Sequence, residues 1–264
     1  MQSRAHTVRQ LRDLGGGSYA VEVDGPVPEA GAGQFFMLRT EQRWPVLLPR
    51  PFSIYERADD GSWASFLVKP IGDGTRAICD LRPGEKMIVT GPLGNAFPDD
   101  VADPVCVAGG VGLAPFLVLA QAQQRQGKRM RLLFGGRNRD ALSGIEDFQE
   151  ISDVHASTDD GSFGYHGLVT ALLEDLLSKG VVKEGETVFC CGPDPMMEAV
   201  AALCERRGLR CFLSLETYMA CGYGVCNGCT VEVQGDRFGG WPYSKTCIEG
   251  PVYEACELRS LDHA

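Results

Sequence analysis

The chain has 264 residues, of which 44% are hydrophobic and 23% charged, a composition typical of globular proteins that bury a core. Its length is sufficient for two domains and a small third. The net charge of −10 excludes the basic surface with which nucleic-acid-binding proteins neutralise phosphates. The longest apolar run, 105–120, is interrupted by three glycines and a proline and is too short for a membrane-spanning helix.

The N-terminal sequence and the cysteine content indicate the compartment. The first twenty residues are polar and glycine-rich and do not resemble a secretory signal. Without export, the eleven cysteines are expected to remain reduced thiols that bind metal or pack in the core. We therefore expect a cytoplasmic protein.

The first hundred residues are expected to form a small antiparallel β-barrel. Short strand-like segments alternate there with Gly, Pro and Asp clusters, and no long helical pattern intervenes. The predicted strands are 19–23, 34–39, 51–56, 64–69 and 86–90. We assign residues 1–101 to this first domain.

Two short motifs in the barrel region have groups that can bind phosphate. In the RPFS segment 50–53, the proline favours an extended backbone before it, and the arginine can hold a phosphate bidentately. In the GDGT segment 72–75, backbone N–H groups and a hydroxyl offer another anion contact. Taken singly, each motif is equally consistent with a surface arginine or an ordinary turn.

Together with the segments LRPG at 81–84 and GPLG at 91–94, these motifs resemble the FAD domain of the ferredoxin–NADP reductase superfamily. The resemblance implies that an FAD lies along this part of the chain. The implied FAD-binding residues are Arg50, Pro51, Phe52, Ser53, Leu67, Val68, Lys69, Gly74 and Thr75. Leu67 and Val68 are also consistent with simple core packing.

From about residue 102 the pattern changes to strands that alternate with helices, which indicates a parallel sheet with crossover connections. The predicted strands are 105–108, 131–134, 153–157 and 187–190. The predicted helices end near 126, 150, 179 and 207. We assign 102–210 to this α/β domain and 211–264 to a small C-terminal segment, so the fold class is multi-domain α+β.

Two glycine turns follow predicted strands, at 109–115 (GGVGLAP) and at 191–197 (CGPDPMM). Ligands of such sheets bind beyond the carboxyl ends of the strands. The pair of turns resembles the NAD(P) domain of the same superfamily, which implies that Cys191 lies near the nicotinamide. The other implied nucleotide-binding residues are Gly109, Gly110, Gly112, Gly192 and Pro193. Strand alternation predicts that Cys190 points into the core instead.

The adenosine half of the nucleotide is less clearly marked. Segments 158–162 and 167–170 resemble the part of the superfamily near the adenosine, and they are equally consistent with a loop and a helix cap. Arg137 and Arg139 have the charge that an NADP 2′-phosphate requires, so the residues leave NAD and NADP open. The resemblance implies NADH.

A cysteine motif dominates the C-terminal segment. Cys221, Cys226 and Cys229 form a C-x₄-C-x₂-C run, and Cys247 follows after a longer spacer, which is the plant-type spacing of a [2Fe–2S] site. Intervening glycines let the loop turn tightly around a cluster and aim N–H groups at sulfur. Zinc remains an alternative, although zinc ribbons usually have two C-x₂-C pairs. Cys256 is an alternative fourth ligand.

The segments at 91–97, 216–226 and 245–253 resemble the electron-transfer subunits of type B dihydroorotate dehydrogenases. The resemblance implies an oxidoreductase that passes electrons between NADH and a separate FMN-containing catalytic subunit, through FAD and the cluster. It further implies a role in pyrimidine (UMP) synthesis and a heterotetramer with two of each subunit. It supports Cys247 as the fourth ligand, leaves Cys256 packed, and places an insertion around 235–241.

No catalytic acid or base is expected in this chain, because the cofactors carry the chemistry. The four histidines, His6, His155, His166 and His263, show no metal-ligand spacing. Two competing interpretations stay open. One is a related electron-transfer subunit, from a sulfhydrogenase or a ferredoxin–NADP oxidoreductase complex. The other is a zinc-holding regulatory subunit that retains a nucleotide fold.

Overall fold

Six strands at the start of the chain close into an antiparallel barrel in the computed structural model, which describes residues 1–259. The barrel order is β1-β2-β5-β4-β3-β6, and β6 pairs with β1 to close it. Alternation along the strands buries Val21, Phe36 and Phe66 inside, with the two phenylalanine rings edge to face at 5.5 Å. The strands are β1 Gln2–Asp13, β2 Tyr19–Asp24, β3 Phe35–Thr40, β4 Arg50–Arg57, β5 Trp63–Val68 and β6 Lys86–Leu93.

The five strands predicted from the sequence are confirmed as β2 to β6, and two elements of the barrel region were missed. Strand β1 was not predicted, although it is the longest strand of the barrel at 12 residues. A short helix, α1 (Asp73–Cys79), begins within the 72–75 motif, whose sequence is also consistent with a turn. It connects β5 to β6 along the chain, and its Ile78 side chain is buried in the barrel core.

A parallel sheet follows the barrel. Its strands are β7 Val105–Gly109, β8 Met130–Gly136, β9 Ser152–Thr158, β10 Tyr165–His166, β11 Thr187–Cys191 and β12 Arg210–Ser214. The spatial order is β10-β9-β8-β7-β11-β12. Strands β8 to β10 therefore lie on one side of β7, and β11 and β12 lie on its other side. Crossovers are made by α2 Phe116–Arg125, α3 Glu146–Gln149, α4 Val169–Ser178 and α5 Asp194–Arg206. The predicted parallel α/β arrangement is confirmed.

The C-terminal segment is joined to this sheet rather than separate from it. A hairpin of β13 (Thr230–Glu232) and β14 (Tyr243–Lys245) follows the cysteine run. Strand β15 (Val252–Glu254) then pairs antiparallel with β12 at the sheet edge. Strand β12 begins at residue 210 and β15 lies at 252–254, so the sheet continues past the predicted boundary between 210 and 211.

The barrel and the sheet share a core. On one sheet face, α4 and α5 pack with Cys190, which is fully buried as predicted. On the other face, α2 and α3 pack against barrel residues that include Tyr55 and Phe97. Phe97 stacks on Phe189 of β11 at 4.5 Å between ring centroids. The two domains are therefore held together by buried apolar contacts. No helix within 1–259 has the length and apolar character needed to cross a membrane.

Candidate functional site

A cavity of about 370 Å³ lies between the barrel and the carboxyl ends of the parallel strands. The barrel supplies part of its wall: Phe35, Arg50, Pro51, Phe52, Ser53, Leu67, Lys69, Ile71 and Thr75. The sheet and the C-terminal segment supply the rest: Val111, Ala114, Pro115, Cys191, Ser214, Leu215, Glu216, Thr217, Met219 and Pro251. The structure thus unites the predicted RPFS segment, the 72–75 motif and Cys191 in one site.

Strand geometry decides which barrel residues face the cavity. Leu67 and Lys69 line it, whereas Val68 between them is fully buried in the barrel core. Arg50 begins β4 and is half-buried, and its Nη1 donates to the carbonyl of Leu48 at 2.8 Å. The same Nη1 lies 3.4 Å from the Pro49 carbonyl, so the donors on Nη2 and Nε remain for an anionic ligand.

The 72–75 motif is the first turn of α1. The hydroxyl of Thr75 accepts from the N–H groups of Ile71 and Gly72 at 3.0 Å and donates to the Gly72 carbonyl at 2.9 Å. It therefore organises the turn. Gly74 is buried against Trp44, where a Cβ would lie 3.0 Å from the indole ring.

The two predicted glycine turns pack against each other at the carboxyl ends of β7 and β11. A Cβ on Gly112 would overlap the backbone of Cys191 and Gly192, so only glycine permits this approach. Val111, Ala114 and Pro115 of the first turn reach the cavity, as does Cys191 of the second. The remaining predicted nucleotide residues, Gly109, Gly110, Gly112, Gly192 and Pro193, lie behind or beside this wall and do not line the cavity.

The end of β12 adds cavity residues that the sequence prediction missed. Glu216 lines the cavity and is partly exposed, and partial desolvation raises the pKa of its carboxyl group, with the charge of Asp194 adding to the rise. Burial, followed by the charge of Glu216, raises the pKa of Cys191, so this thiol stays neutral. Among the described residues, Thr217 Oγ1 is a buried polar atom without a hydrogen-bond partner. An orphaned hydroxyl in a cavity wall fits a polar ligand there.

Of the segments predicted near the adenosine, 158–162 lies at the end of β9 and 167–170 leads from β10 into α4, while Arg137 and Arg139 follow β8. The N–H of Arg139 donates to Ser162 Oγ at 2.9 Å, and its guanidinium lies over the ring of Phe163 at 5.2 Å. Of the histidines, His6 is buried with Nδ1 2.9 Å from the Asp24 carbonyl oxygen, and His263 lies outside the described residues.

The four cysteines of the predicted cluster site are brought together as two pairs. The Sγ atoms of Cys221 and Cys226 are 3.3 Å apart. Cys229 and Cys247 are buried together in an apolar pocket with Phe35, Met37 and Leu93. Burial, with the adjoining Cys229 thiol, raises the pKa of Cys247.

Backbone N–H groups in the loop around Cys221 favour the thiolate form of its side chain. Burial acts to raise the pKa of Cys221, but N–H groups of Cys226, Tyr223 and Val225 outweigh it and lower the pKa to about 6. Gly222 makes this loop possible, since its φ of +80° and its close contact with Met37 exclude a side chain. The predicted role of glycine with positive φ therefore holds at this position.

Cys256 lies elsewhere. It is exposed, in the turn after β15, so the prediction that it is packed is wrong. Its neighbours are Glu254, Glu257 and Arg210, and partial desolvation, together with the two carboxylates, raises the pKa of its thiol. The structure places Cys247, and not Cys256, beside Cys229.

The thiol pairs can be compared with the coordination that each candidate metal requires. A four-thiolate zinc site requires all sulfurs to surround one ion. A [2Fe–2S] cluster distributes four thiolates over two irons, which fits two neighbouring pairs. The donor set therefore fits the cluster.

Asn95 fastens the cysteine segment to the barrel. Its Nδ2 donates to the carbonyls of Glu249 and Val252 at 2.8 Å each, and its Oδ1 accepts from the Val252 N–H at 2.9 Å. The Asn95 N–H also donates to the Gly250 carbonyl at 2.6 Å. One side chain thus fixes the segment that follows Cys247.

We expect Asn95→Ala to loosen that segment. Three hydrogen bonds are lost and carbonyls are left without their donors, which costs roughly 1–3 kcal/mol. Denaturant unfolding should show a lower free energy, and iron should leave the protein faster during incubation with a chelator. Unfolding and iron loss identical to wild type would show that Asn95 does not stabilise the segment that follows Cys247.

The cavity and the thiols have a common wall. Phe35 lines the cavity and packs in the pocket of Cys229 and Cys247. Met219 lines the cavity too and packs on the same pocket, two residues before Cys221. A ligand in the cavity and a cluster on the cysteines would therefore be separated by about one layer of side chains.

Family models match two parts of the chain. Residues 216–259 match the iron-sulfur cluster binding domain of dihydroorotate dehydrogenase B. Residues 106–202 match the oxidoreductase NAD-binding domain. These ranges contain the cysteine site and both glycine turns.

Curated relatives match over nearly the whole chain. The chain is 31% identical over 254 residues to the dihydroorotate dehydrogenase B (NAD(+)) electron transfer subunit of Clostridium perfringens, covering 95% of this chain and 96% of that one. It is 34% identical over 227 residues to the subunit of the same name from Caldanaerobacter subterraneus, covering 86% of each.

Solved structures share the fold. A chain of the NADH-dependent reduced ferredoxin-NADP oxidoreductase superposes with a TM-score of 0.83 at 24% identity, covering 97% of this chain and 90% of that chain. The ferredoxin reductase of carbazole 1,9a-dioxygenase superposes with a TM-score of 0.66 at 21% identity, covering 79% and 66%. At these identities the likeness shows the fold alone.

Proposed function

Because the chain belongs to the family of dihydroorotate dehydrogenase B (NAD(+)) electron transfer subunits, we propose that it passes electrons between NADH and a dihydroorotate dehydrogenase catalytic subunit through FAD and a [2Fe–2S] cluster. Its place is in pyrimidine synthesis, and the catalytic partner carries FMN in a heterotetramer of two of each subunit. The observation that carries the proposal is the wall of Phe35 and Met219 common to the cavity and the cysteines.

We assign the cofactors to the three segments. Residues 1–101 bind FAD, with the flavin against 50–53, Leu67 and Lys69 and the phosphates near Gly74 and Thr75. Residues 102–210 bind the nicotinamide nucleotide at Gly109, Gly110, Gly112, Gly192 and Pro193, with Cys191 at the flavin. Residues 211–264 bind the cluster through Cys221, Cys226, Cys229 and Cys247. When bound, FAD supplies two-electron chemistry toward the nicotinamide and one-electron chemistry toward the cluster.

The residues of this chain orient and shield these groups. Arg50 offers its free guanidinium donors to the FAD pyrophosphate. Cys191 presents a neutral thiol in the cavity wall, so it adds no charge on the side where the nicotinamide would bind. The N–H groups around Cys221 favour thiolate sulfur as the ligand. The eleven cysteines, all free thiols, support a reducing compartment, and we place the protein in the cytoplasm.

A spectrum tests the proposal directly. Anaerobically purified protein should contain about two irons, matching sulfide and one FAD per chain, with absorption across the visible. NADH should bleach that absorption. Zinc in place of iron, with no flavin and no bleaching, would overturn the function and leave the fold intact.

Exposed apolar side chains lie in and beside the cysteine segment, on a surface suited to the catalytic partner. We call these residues the cluster patch: Tyr218, Tyr223, Val225, Trp241, Tyr243 and Ile248. Tyr223, Trp241, Tyr243 and Ile248 line one recess. Exposed apolar side chains grouped in this way mark protein interfaces, and Trp and Tyr dominate binding energy there. Docking here would place the cluster next to the partner, which single-electron transfer requires.

We expect Trp241→Ala to weaken the complex about tenfold, because an interface tryptophan contributes more than about 1 kcal/mol. The matched control is Leu168→Ala, which removes a similarly exposed apolar side chain (60% against 66%) far from the cluster patch. Affinity for the catalytic subunit can be measured by calorimetry. An equal effect of both substitutions, or none from Trp241→Ala, would place the interface elsewhere.

A further inference from the structure

Arg12 connects the barrel to the nucleotide domain. It lies near the end of β1, and its Nη1 donates to both carboxylate oxygens of Asp147 in α3, at 2.7 and 3.0 Å. The two residues are 135 positions apart in sequence. The Arg12 side chain is 35% exposed and that of Asp147 is 20% exposed, so the pair is partly shielded from water.

Tyr55 of β4 forms a second connection to the same carboxylate. Its hydroxyl donates to Asp147 Oδ2 at 2.7 Å, and the ring is fully buried in the core common to both domains. Burial, reinforced by the charge of Asp147, raises the pKa of Tyr55 well above its ordinary value. The hydroxyl therefore remains a donor at every physiological pH.

The charges at this contact are unbalanced. Arg12 faces Asp147, Glu56 at 3.4 Å and Glu22 at 4.0 Å, so three carboxylates adjoin one guanidinium. Gln10 donates to Glu22 at 2.9 Å and Gln121 of α2 donates to Glu56 at 3.0 Å. Burial raises the pKa of Glu56, Arg12 opposes the rise, and Asp147 adds to it.

Such a partly buried ionic network is weak evidence for stability, because desolvation offsets much of the attraction. Its directional bonds do define geometry. Tyr55 continues the strand whose first residues, Arg50 to Ser53, line the cavity. Near Asp147, Gly144 packs against the Tyr55 hydroxyl and Leu113, and its N–H donates to the Leu14 carbonyl at 2.8 Å. Leu113 belongs to the glycine turn that forms the opposite cavity wall.

We propose that Arg12, Tyr55 and Asp147 form an interdomain clamp that sets the separation of the two cavity walls and so positions a nicotinamide against the flavin. They are positioning residues, since they touch neither wall of the cavity directly. The inference rests on the proposed function, because it presumes FAD on the barrel wall and the nicotinamide on the sheet wall.

The test compares Asp147→Asn and Tyr55→Phe with wild type in the holoprotein. Rapid-mixing measurement of flavin bleaching by NADH should show the limiting rate reduced about 10- to 100-fold in Asp147→Asn, since a displacement of about 1 Å can cost 100-fold. Tyr55→Phe removes one hydroxyl and should give a smaller decrease. The NADH concentration for half-saturation and the FAD content should stay as in wild type.

Arg125→Ala is the matched control. Arg125 of α2 also joins the nucleotide domain to the barrel, through Asp59, but both side chains are mostly exposed, at 54% and 76%. It should leave the rate unchanged. Hydrogen–deuterium exchange gives a second readout, with faster exchange expected at 10–16 and 142–148 in Asp147→Asn only.

The outcomes separate the two proposals. A wild-type holoprotein that NADH does not bleach contradicts the proposed function. Hydrogen–deuterium exchange at 10–16 and 142–148 then remains as the test of the clamp. Wild-type bleaching rates in both clamp variants would overturn the clamp, as would unchanged exchange or an equal loss in Arg125→Ala. A slow rate with lost FAD would show damage to the flavin site and would also overturn it.

Discussion

Replacing Cys247 by alanine should abolish the iron–sulfur cluster, whereas replacing Cys256 should leave it in place. Cys247 is fully buried beside Cys229, and both pack on Phe35 and Met37. Cys256 is exposed beside Arg210 in the turn after β15. With three thiolates, one iron loses a ligand and is open to water, so the cluster should not survive purification.

Iron and sulfide assays on anaerobically purified protein are the measurement. We expect about two irons per chain in wild type and in Cys256→Ala, and almost none in Cys247→Ala. FAD content is an internal control, because the flavin residues lie on the barrel and should bind FAD without the cluster. Iron retained in Cys247→Ala and lost in Cys256→Ala would reverse the assignment of the fourth ligand.

The barrel and sheet could be predicted because their signals are local. Alternating apolar residues and turn clusters predicted β2 to β6, and the alternation of strands with helices predicted the parallel sheet. Strand β1 was hidden because its side chains are mostly exposed and many are charged, such as Arg4, Arg9 and Arg12. Helix α1 was hidden because its first residues, GDGT, also fit a turn, and it extends for only seven residues.

The cysteine ligands could be predicted because their spacing reflects one loop around one cluster. The contacts that assemble the site could not be, since they join distant positions. Asn95 binds a segment more than 150 residues later, and Arg12 binds Asp147. The cavity residues between Ser214 and Met219 could have been predicted from their position. They lie at the carboxyl end of a parallel strand, where ligands of such sheets bind.

Replacing Arg50 by alanine should weaken FAD binding on the order of 100-fold. Arg50 is half-buried at the cavity, and the Leu48 carbonyl holds one of its donors, which fixes the guanidinium in place. Charge-assisted hydrogen bonds to a phosphate contribute about 3 kcal/mol, and each 1.4 kcal/mol is about tenfold in affinity. Because alanine cannot donate to the pyrophosphate, the protein should be purified with little flavin and regain it only at high added FAD.

The matched control for Arg50 is Arg43→Ala, which removes an arginine from the loop that precedes β4 without touching the cavity. The Arg43 side chain is 83% exposed and pairs with Glu85 at 2.8 Å, so its loss should leave FAD affinity unchanged. Fluorescence titration of the flavin-free protein with FAD measures the affinity of both variants. Equal affinities in Arg50→Ala and wild type would mean that the pyrophosphate lies elsewhere, with the N–H groups of the first turn of α1 as its remaining anchor. Full cluster content in Arg50→Ala would show that the cysteine segment folds without flavin, as the separate attachment through Asn95 predicts.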